Sequence, residues 1–283
     1  MAIENISDTA RWVAVYRVME SARPDAIFRD PFAERLAGSH GQDIVNEMHQ
    51  GRAMAWPMIV RTAVFDEIIL EAVRTKKIDL VINLAAGLDA RPWRLPLPPA
   101  LHWVDVDLPG ILHYKTETLK DEVPVCRYEA VAADMTDAAV RREIFARLGA
   151  GAANALVVTE GLLVYLEAEQ VAALATDLHA QPSFKEWLID LASPQLLQRM
   201  SKTWGKQLAA GGAPFRFGPE ESTAFFLPYG WREVVYRSLW EEANRLHRTM
   251  KGAWLWNLIG RLASKKSRES FRRFSGLVLL ERI

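Results

Sequence analysis

Apolar positions recur every three or four residues through the first quarter of the chain, the spacing of one buried helix face. A helix starting at Asp8 or Thr9 would bury Trp12, Val13, Tyr16 and Met19, with Pro24 beyond its end. Asp30-Pro31 marks the start of a second, short helix, because proline suits a first helical position. A longer helical pattern runs from Pro57 to about Lys76 through Ile59, Val60, Val64, Ile68, Ile69, Ala72 and Val73. The pattern then changes. Asp79–Leu84 is a compact apolar run with β-branched residues, as expected of a strand buried on both faces. Comparable runs follow at Leu101–Val106, Val125–Ala132, Ala155–Thr159 and Trp187–Leu191. Helix-like stretches at Ile111–Lys120, Ala138–Leu148 and Ala168–Leu178 lie between them. Strand and helix in alternation predict an α/β fold, with a parallel sheet and helices on both faces.

The last third is less regular. Pro194–Ala210 reads as a helix, GGAPFRFGPEE as a turn-rich stretch, and Pro228–Gly230 as a turn before a strand near Trp231–Tyr236. A helix over Leu239–His247 and a final strand from Phe274 complete the pattern. There is no internal repeat and no linker, which predicts one domain with an insertion. Its parts are a helical cap (1–76), a core (77–192), a lid or insertion (193–228) and the C-terminal part of the core (229–283).

Composition narrows the function. The 283 residues suffice for a large α/β domain, and 35 Lys plus Arg balance 35 Asp plus Glu. No overall field would draw the chain to nucleic acid or to an anionic membrane. The single cysteine, Cys126, excludes an internal disulfide framework, and its place in a strand predicts a buried, inert thiol. The start of the chain does not read as a signal peptide, and no run approaches the ~18 apolar residues of a membrane span. A soluble cytoplasmic protein, monomer or homodimer, is expected. The 6 histidines show no metal-ligand spacing, and Gly161–Tyr165 lacks the serine of a nucleophile elbow.

Candidate chemistry clusters where strands end. In VINLAAGLDARPWRL (Val81–Leu95), the small residues Ala85, Ala86 and Gly87 directly follow a strand. A nucleotide-bearing ligand needs close backbone approach there, and small residues also permit tight helix–sheet packing. About 20 residues on, the next strand ends with Asp105 and Asp107, either of which could accept hydrogen bonds from ribose hydroxyls or cap the following helix. The GxGxxG pyrophosphate fingerprint is absent, which argues against a nucleotide-dependent oxidoreductase and for a ligand without a pyrophosphate.

NLAAGLDARPWRL, VDVDLP, AADMTD and TEGLLVYL, in this order, resemble the leucine carboxyl methyltransferase-like family, in its bacterial S-adenosylmethionine-dependent branch. TARWVAVYRVMES, DAIFRDPFAERL and the pair Arg61–Thr62 add to the likeness, which runs from about Thr9 to about Leu174 and returns at Tyr229–Trp231. The resemblance implies a Rossmann-like class I methyltransferase with a mostly parallel seven-stranded sheet, extra N-terminal helices and a helical insertion near the C-terminus. It also implies S-adenosyl-L-methionine as co-substrate. Position by position it implies that Arg61 pairs with the cofactor carboxylate, with Arg17 a second cation for that group. Gly87 belongs to the first loop. Asp107 binds the ribose, with Asp105 as rival. Asp134 and Met135 read adenine, and Glu160 faces the methionine end. Asp137 remains the better cap for the helix from Ala138. The family loop reads Gly-Ala-Gly; Ala85 replaces its first glycine and would be strained if that position needs a positive φ. Ala90 replaces the family threonine.

The expected reaction is O-methylation of a carboxylate or hydroxyl, on a small molecule or a peptide, by in-line displacement. No catalytic side chain is assigned, because positioning suffices for a sulfonium methyl donor. A carboxylate needs no base, whereas a hydroxyl would. Tyr165 and Glu160 are near the site in the family frame, but neither stands out as a base. Trp204, Phe215, Phe217, Phe225 and Phe226 could form an aromatic lid or be core. Lys265–Arg273 reads as a solvated helix face. The rival functions are a methyltransferase-like binding protein without turnover and a nucleotide-dependent oxidoreductase.

Overall fold

The structure, a computed structural model, describes residues 8–47, 51–210, 212–250, 252–255, 258 and 264–283. Three helices come first: α1 (Asp8–Ser21), α2 (Ala33–Glu47) and α3 (Ala55–Thr75). Trp12, Val15 and Tyr16 of α1 bury against Leu36, Ile44 and Val45 of α2 and Ile59 of α3, as the helical spacing requires. The second helix starts at Ala33, not at Pro31. The Asp30 carboxylate accepts the Phe32 N–H at 3.0 Å and holds the residues before the helix in a turn. Gly38 kinks this helix with φ 61°.

The sheet contains β1 (Leu80–Leu84), β2 (His102–Asp107), β3 (Arg127–Ala132), β4 (Ala155–Thr159), β5 (Phe184–Ala192), β6 (Trp231–Ser238) and β7 (Ser275–Arg282). Its 7 strands run in the order β3-β2-β1-β4-β5-β7-β6. β7 is antiparallel to both neighbours, and the other pairings are parallel. The connecting helices are α4 (Arg91–Arg94), α5 (Pro109–Thr118), α6 (Ala138–Ala150) and α7 (Ala168–His179). Then come α8 (Pro194–Ala210), α9 (Leu239–Arg245) and α10 (Lys265–Arg272). The mostly parallel α/β architecture is the one the alternating runs imply.

Alternation along β1 explains why it is apolar throughout. Leu80, Ile82 and Leu84 pack with Phe145 and Leu148 of α6 and Val171 and Leu174 of α7. Val81 faces the other side, with Val60, Val64, Phe65 and Ile68 of α3. Each such side chain contributes about 1.5–3 kcal/mol by leaving water. Cys126 lies one residue before β3, not inside it, and burial pushes its thiol up to about 11. Before β6, Gly230 takes a left-handed turn with φ 83°, where a Cβ would overlap the His179 ring.

β1 has β2 on one side and β4 on the other. The strand order reverses between β1 and β4, and open α/β sheets bind ligands outside the carboxyl ends of the strands at such a point. Among the described residues no helix is long and apolar enough to cross a membrane.

Candidate functional site

The loop leaving β1 carries Ala85 at φ 52° and Gly87 at φ 51°. A Cβ on Gly87 would meet the Ala10 side chain at 3.0 Å, so both conformation and space favour glycine there. Ala85 takes the left-handed conformation with a side chain, at a cost of roughly 1–2 kcal/mol. What holds it there is the end of β2. The Asp107 carboxylate accepts the Gly87 N–H at 2.6 Å and the Leu108 N–H at 2.7 Å. Burial raises the Asp107 pKa above the usual carboxylate value, against the opposing pull of those two N–H groups.

Asp105, two residues earlier, has a different setting. It is fully buried and binds Lys115 Nζ at 2.5 Å, Tyr128 Oη at 2.9 Å, Trp103 Nε1 at 2.9 Å and Asn83 Nδ2 at 3.2 Å. Burial first, then the Asp105 charge, holds the Tyr128 hydroxyl far above its ordinary value. Both acids lie on one strand, but Asp107 reaches the open edge and Asp105 is enclosed by protein donors.

Beyond β3, Asp134 accepts the Thr136 N–H at 2.8 Å and its hydroxyl at 2.7 Å, forming a short side-chain turn. Asp137 caps α6 by accepting from Ala139 N and Val140 N. Asp134 is therefore not the cap. The Met135 carbonyl accepts from Arg141 Nη1 at 2.8 Å.

A ladder of ion pairs runs under the same edge. Arg17 binds Asp30 at 2.8 Å and donates to the Leu88 carbonyl at 2.6 Å. Arg94 binds Asp66 at 2.6 Å, and Arg91 binds Asp66 at 2.6 Å, Asp89 at 2.6 Å and Glu160 at 2.8 Å. Arg61 binds Glu160 and Asp190, each at 3.0 Å, and the second Asp190 oxygen accepts the Gly161 N–H at 2.7 Å. Four arginines (17, 61, 91, 94) face five acids (30, 66, 89, 160, 190), which leaves one surplus negative charge. Burial alone would raise Asp89, but Arg91, Lys115 and Arg94 hold it well below the usual carboxylate range. Burial likewise opposes the Arg61 charge, and Asp190 and Glu160 more than offset it.

These elements converge on one cavity of about 1380 Å3. It is lined by Arg17, Arg61, Gly87, Asp107, Asp134, Met135 and Glu160, and by Ala85, Asp89, Arg91, Arg94 and Asp190. Asp105 is not among its lining residues. Single small-molecule pockets span roughly 300–1,000 Å3, so this volume fits two ligands side by side. Among the described residues, no group of 3 or more His, Cys, Asp or Glu is placed to hold a metal.

The aromatic stretch divides. Phe215 lines the cavity and stacks on Tyr165, with ring centroids 5.6 Å apart and planes at 21°. Phe217 and Phe226 are core residues, Phe226 lying 5.3 Å from Trp187, and Phe225 packs on both. Of the two expected alternatives, lid or core, Phe217, Phe225 and Phe226 take the core and only Phe215 lines the cavity; the Trp204 side chain lies outside the described residues. Burial pushes the Tyr165 hydroxyl up to about 12. Helix α10 is solvated; its last residue, Arg272, pairs with Glu241, and Arg273 just after it pairs with Glu233. Sequence reasoning missed Asp66, Arg91, Arg94 and Asp190. The two arginines stand in the ARPWR segment of the quoted motif, and the repeated cation beside a strand end was a usable signal.

Residues 10–179 match the family model described as leucine carboxyl methyltransferase. A protein of Mycolicibacterium gilvum, whose name assigns it to the S-adenosyl-L-methionine-dependent methyltransferases, is 35% identical over 191 residues, 60% of this chain and 60% of that protein. The match thus spans less than two thirds of that relative's length. A Mycobacterium avium protein with the same name is 30% identical over 280 residues, 83% of this chain and 87% of its own. A DUF574 family protein of Streptomyces avermitilis, solved by crystallography, superposes with a TM-score of 0.62 over 97% of both chains at 13% identity, a likeness of fold.

Proposed function

Because the chain belongs to the leucine carboxyl methyltransferase family, we propose that it transfers the methyl group of S-adenosyl-L-methionine to a carboxylate oxygen, with the cofactor held at the carboxyl edge of β1 to β4. The observation that carries this reading is that Arg61, Gly87, Asp107, Asp134, Met135 and Glu160, from five separate segments, line one cavity at the strand-order reversal.

The residues present fit such a ligand chemically. Gly87 leaves room for close backbone approach. Asp107 would accept from ribose hydroxyls, and Asp134 from the adenine amine, with Met135 beside it. The acids Glu160 and Asp190 suit a cationic amine and sulfonium. The tail carboxylate meets a subtler partner than a lone arginine. Two nitrogens of Arg61, Nε and Nη1, already bind Glu160 and Asp190. The carboxylate would therefore engage the remaining Arg61 N–H groups, with Arg17 as the second cation.

When bound, S-adenosylmethionine supplies a methyl group on a positively charged sulfur, already activated for displacement. The protein's part is to align the acceptor and exclude water. Tyr165, up near 12, stays protonated at neutral pH and offers no base. The Glu160 oxygens face Arg61 and Arg91. An acceptor ionised at neutral pH, such as a carboxylate, fits a site without a base. Residues 193–228 would wall the acceptor side, because α8 and Phe215 line the cavity.

Calorimetry with S-adenosylhomocysteine and with NAD tests the cofactor. The first should bind with one-to-one stoichiometry and the second should give no heat of binding. Transfer of labelled methyl to carboxylic acids but not to their phenol analogues supports the acceptor chemistry. Affinity for S-adenosylhomocysteine with no transfer to any acceptor or cell extract would point to a binding protein.

A further inference from the structure

The cavity has a second half that the cofactor residues do not use. Helix α8 lends it Leu196, Arg199, Met200, Lys202 and Thr203, and the three- and four-residue steps put all of these but Lys202 on one helix face. Arg199 has its guanidinium carbon 6.0 Å from the Phe274 ring centroid. Among the described residues it has no carboxylate partner. In this it differs from Arg17, Arg61, Arg91 and Arg94, each paired with at least one acid.

The wall beside it is aromatic. Trp56 and Trp240 meet edge to face with centroids 6.0 Å apart, and Trp240 and Phe271 do so at 5.8 Å. Phe271 and Phe274 lie 6.3 Å apart at 14°. All four rings line the cavity, as does the Tyr165–Phe215 stack. Ring walls of this kind favour flat ring systems through offset and edge-to-face contact. They offer a peptide backbone few N–H or C=O partners, and a backbone buried without partners is costly.

We propose that this outer half binds a small aromatic acid, its rings against the Trp240 wall and its anionic group at Arg199. A guanidinium beside the Phe274 ring and without its own acid is a fitting partner for an incoming carboxylate. The proposal rests on the methyl-transfer reading and narrows its acceptor to flat aromatic acids.

The test is a fluorescence titration of 1-pyrenebutyrate into protein saturated with S-adenosylhomocysteine, with neutral 1-pyrenebutanol and laurate as comparison probes. Saturable one-to-one binding of 1-pyrenebutyrate, tighter than laurate, is expected. Arg199→Gln should weaken 1-pyrenebutyrate by about tenfold, roughly the worth of one charge-assisted contact, and leave 1-pyrenebutanol within about twofold. Trp240→Ala should weaken both pyrenes. Unchanged S-adenosylhomocysteine affinity in each variant reports an intact fold. The proposal is overturned if wild-type protein shows no saturable binding, if laurate binds as tightly, or if Arg199→Gln leaves 1-pyrenebutyrate unaffected. Failure of wild-type protein to bind S-adenosylhomocysteine would instead sink the methyl-transfer reading, so the two failures are distinct.

Discussion

Two buried charge clusters lie back to back at the carboxyl edge of the sheet, and they differ in what they face. Around Asp105 the donors are Lys115, Tyr128, Trp103 and Asn83, and the ion pair at its centre is 0% exposed on both sides. The ladder from Arg17 to Asp190 also binds charge to charge, but seven of its nine members line the cavity. Asn83 connects the two, donating to Asp105 at 3.2 Å and to Asp89 at 3.1 Å. A sealed cluster can only hold the fold together. An open one holds the fold and still presents groups to a ligand. The two acids of β2 fall on opposite sides of this divide although only one residue separates them.

The sharpest way to break the contrast is in the sealed cluster. Lys115→Met leaves Asp105 buried beside an apolar side chain, and removing one partner of a buried pair costs about 3–5 kcal/mol. Denaturant unfolding should show that loss, and a loss below about 1 kcal/mol would mean the cluster is not sealed. At the cavity, which Asp107 lines beside the open cluster, the larger effect should fall on binding. Asp107→Ala removes an ionised acceptor worth about 1.5–3 kcal/mol, so S-adenosylhomocysteine affinity in calorimetry should drop about 10- to 100-fold.

Proton linkage sharpens the same point. Asp107 has a folded pKa above its unfolded value of about 3.9, so its contribution to stability is present below that value and is lost as pH rises through the folded one. Ligand binding runs the other way, because the ribose needs the carboxylate. Wild-type affinity for S-adenosylhomocysteine should therefore climb as pH rises from the usual carboxylate range through the raised value, and the Asp107→Ala affinity should stay flat there. The smallest effect is at Ala85. Glycine would relieve roughly 1–2 kcal/mol of left-handed strain and give back about 0.5–1 kcal/mol in chain entropy. Ala85→Gly should raise stability by about 0.5 kcal/mol, visible as a small upward shift in Tm.

The alternating elements were legible because each strand and helix writes its own period into the chain. The Ala85 strain was legible only through the resemblance, because the family loop carries glycine where this chain has Ala85 and glycine tolerates a positive φ. The choice between Asp105 and Asp107 was not. Both side chains point to the same face of β2, and only Lys115 of α5 and Tyr128 of β3 decide which one is enclosed. Asp190 was invisible for a similar reason. It sits within a strand and meets Arg61 across 129 positions of sequence. Phe217 and Phe226 were grouped with Phe215 because composition does not say which way a ring faces in irregular chain.

Electron density from crystals grown with S-adenosylhomocysteine tests the central claim most directly. The account predicts adenine beside Asp134 and Met135, ribose hydroxyls on Asp107, and the amino-acid tail with its carboxylate on the remaining Arg61 N–H groups and its amine beside Glu160 and Asp190. Ligand density at any other surface, or a ribose bound away from Asp107, would contradict it.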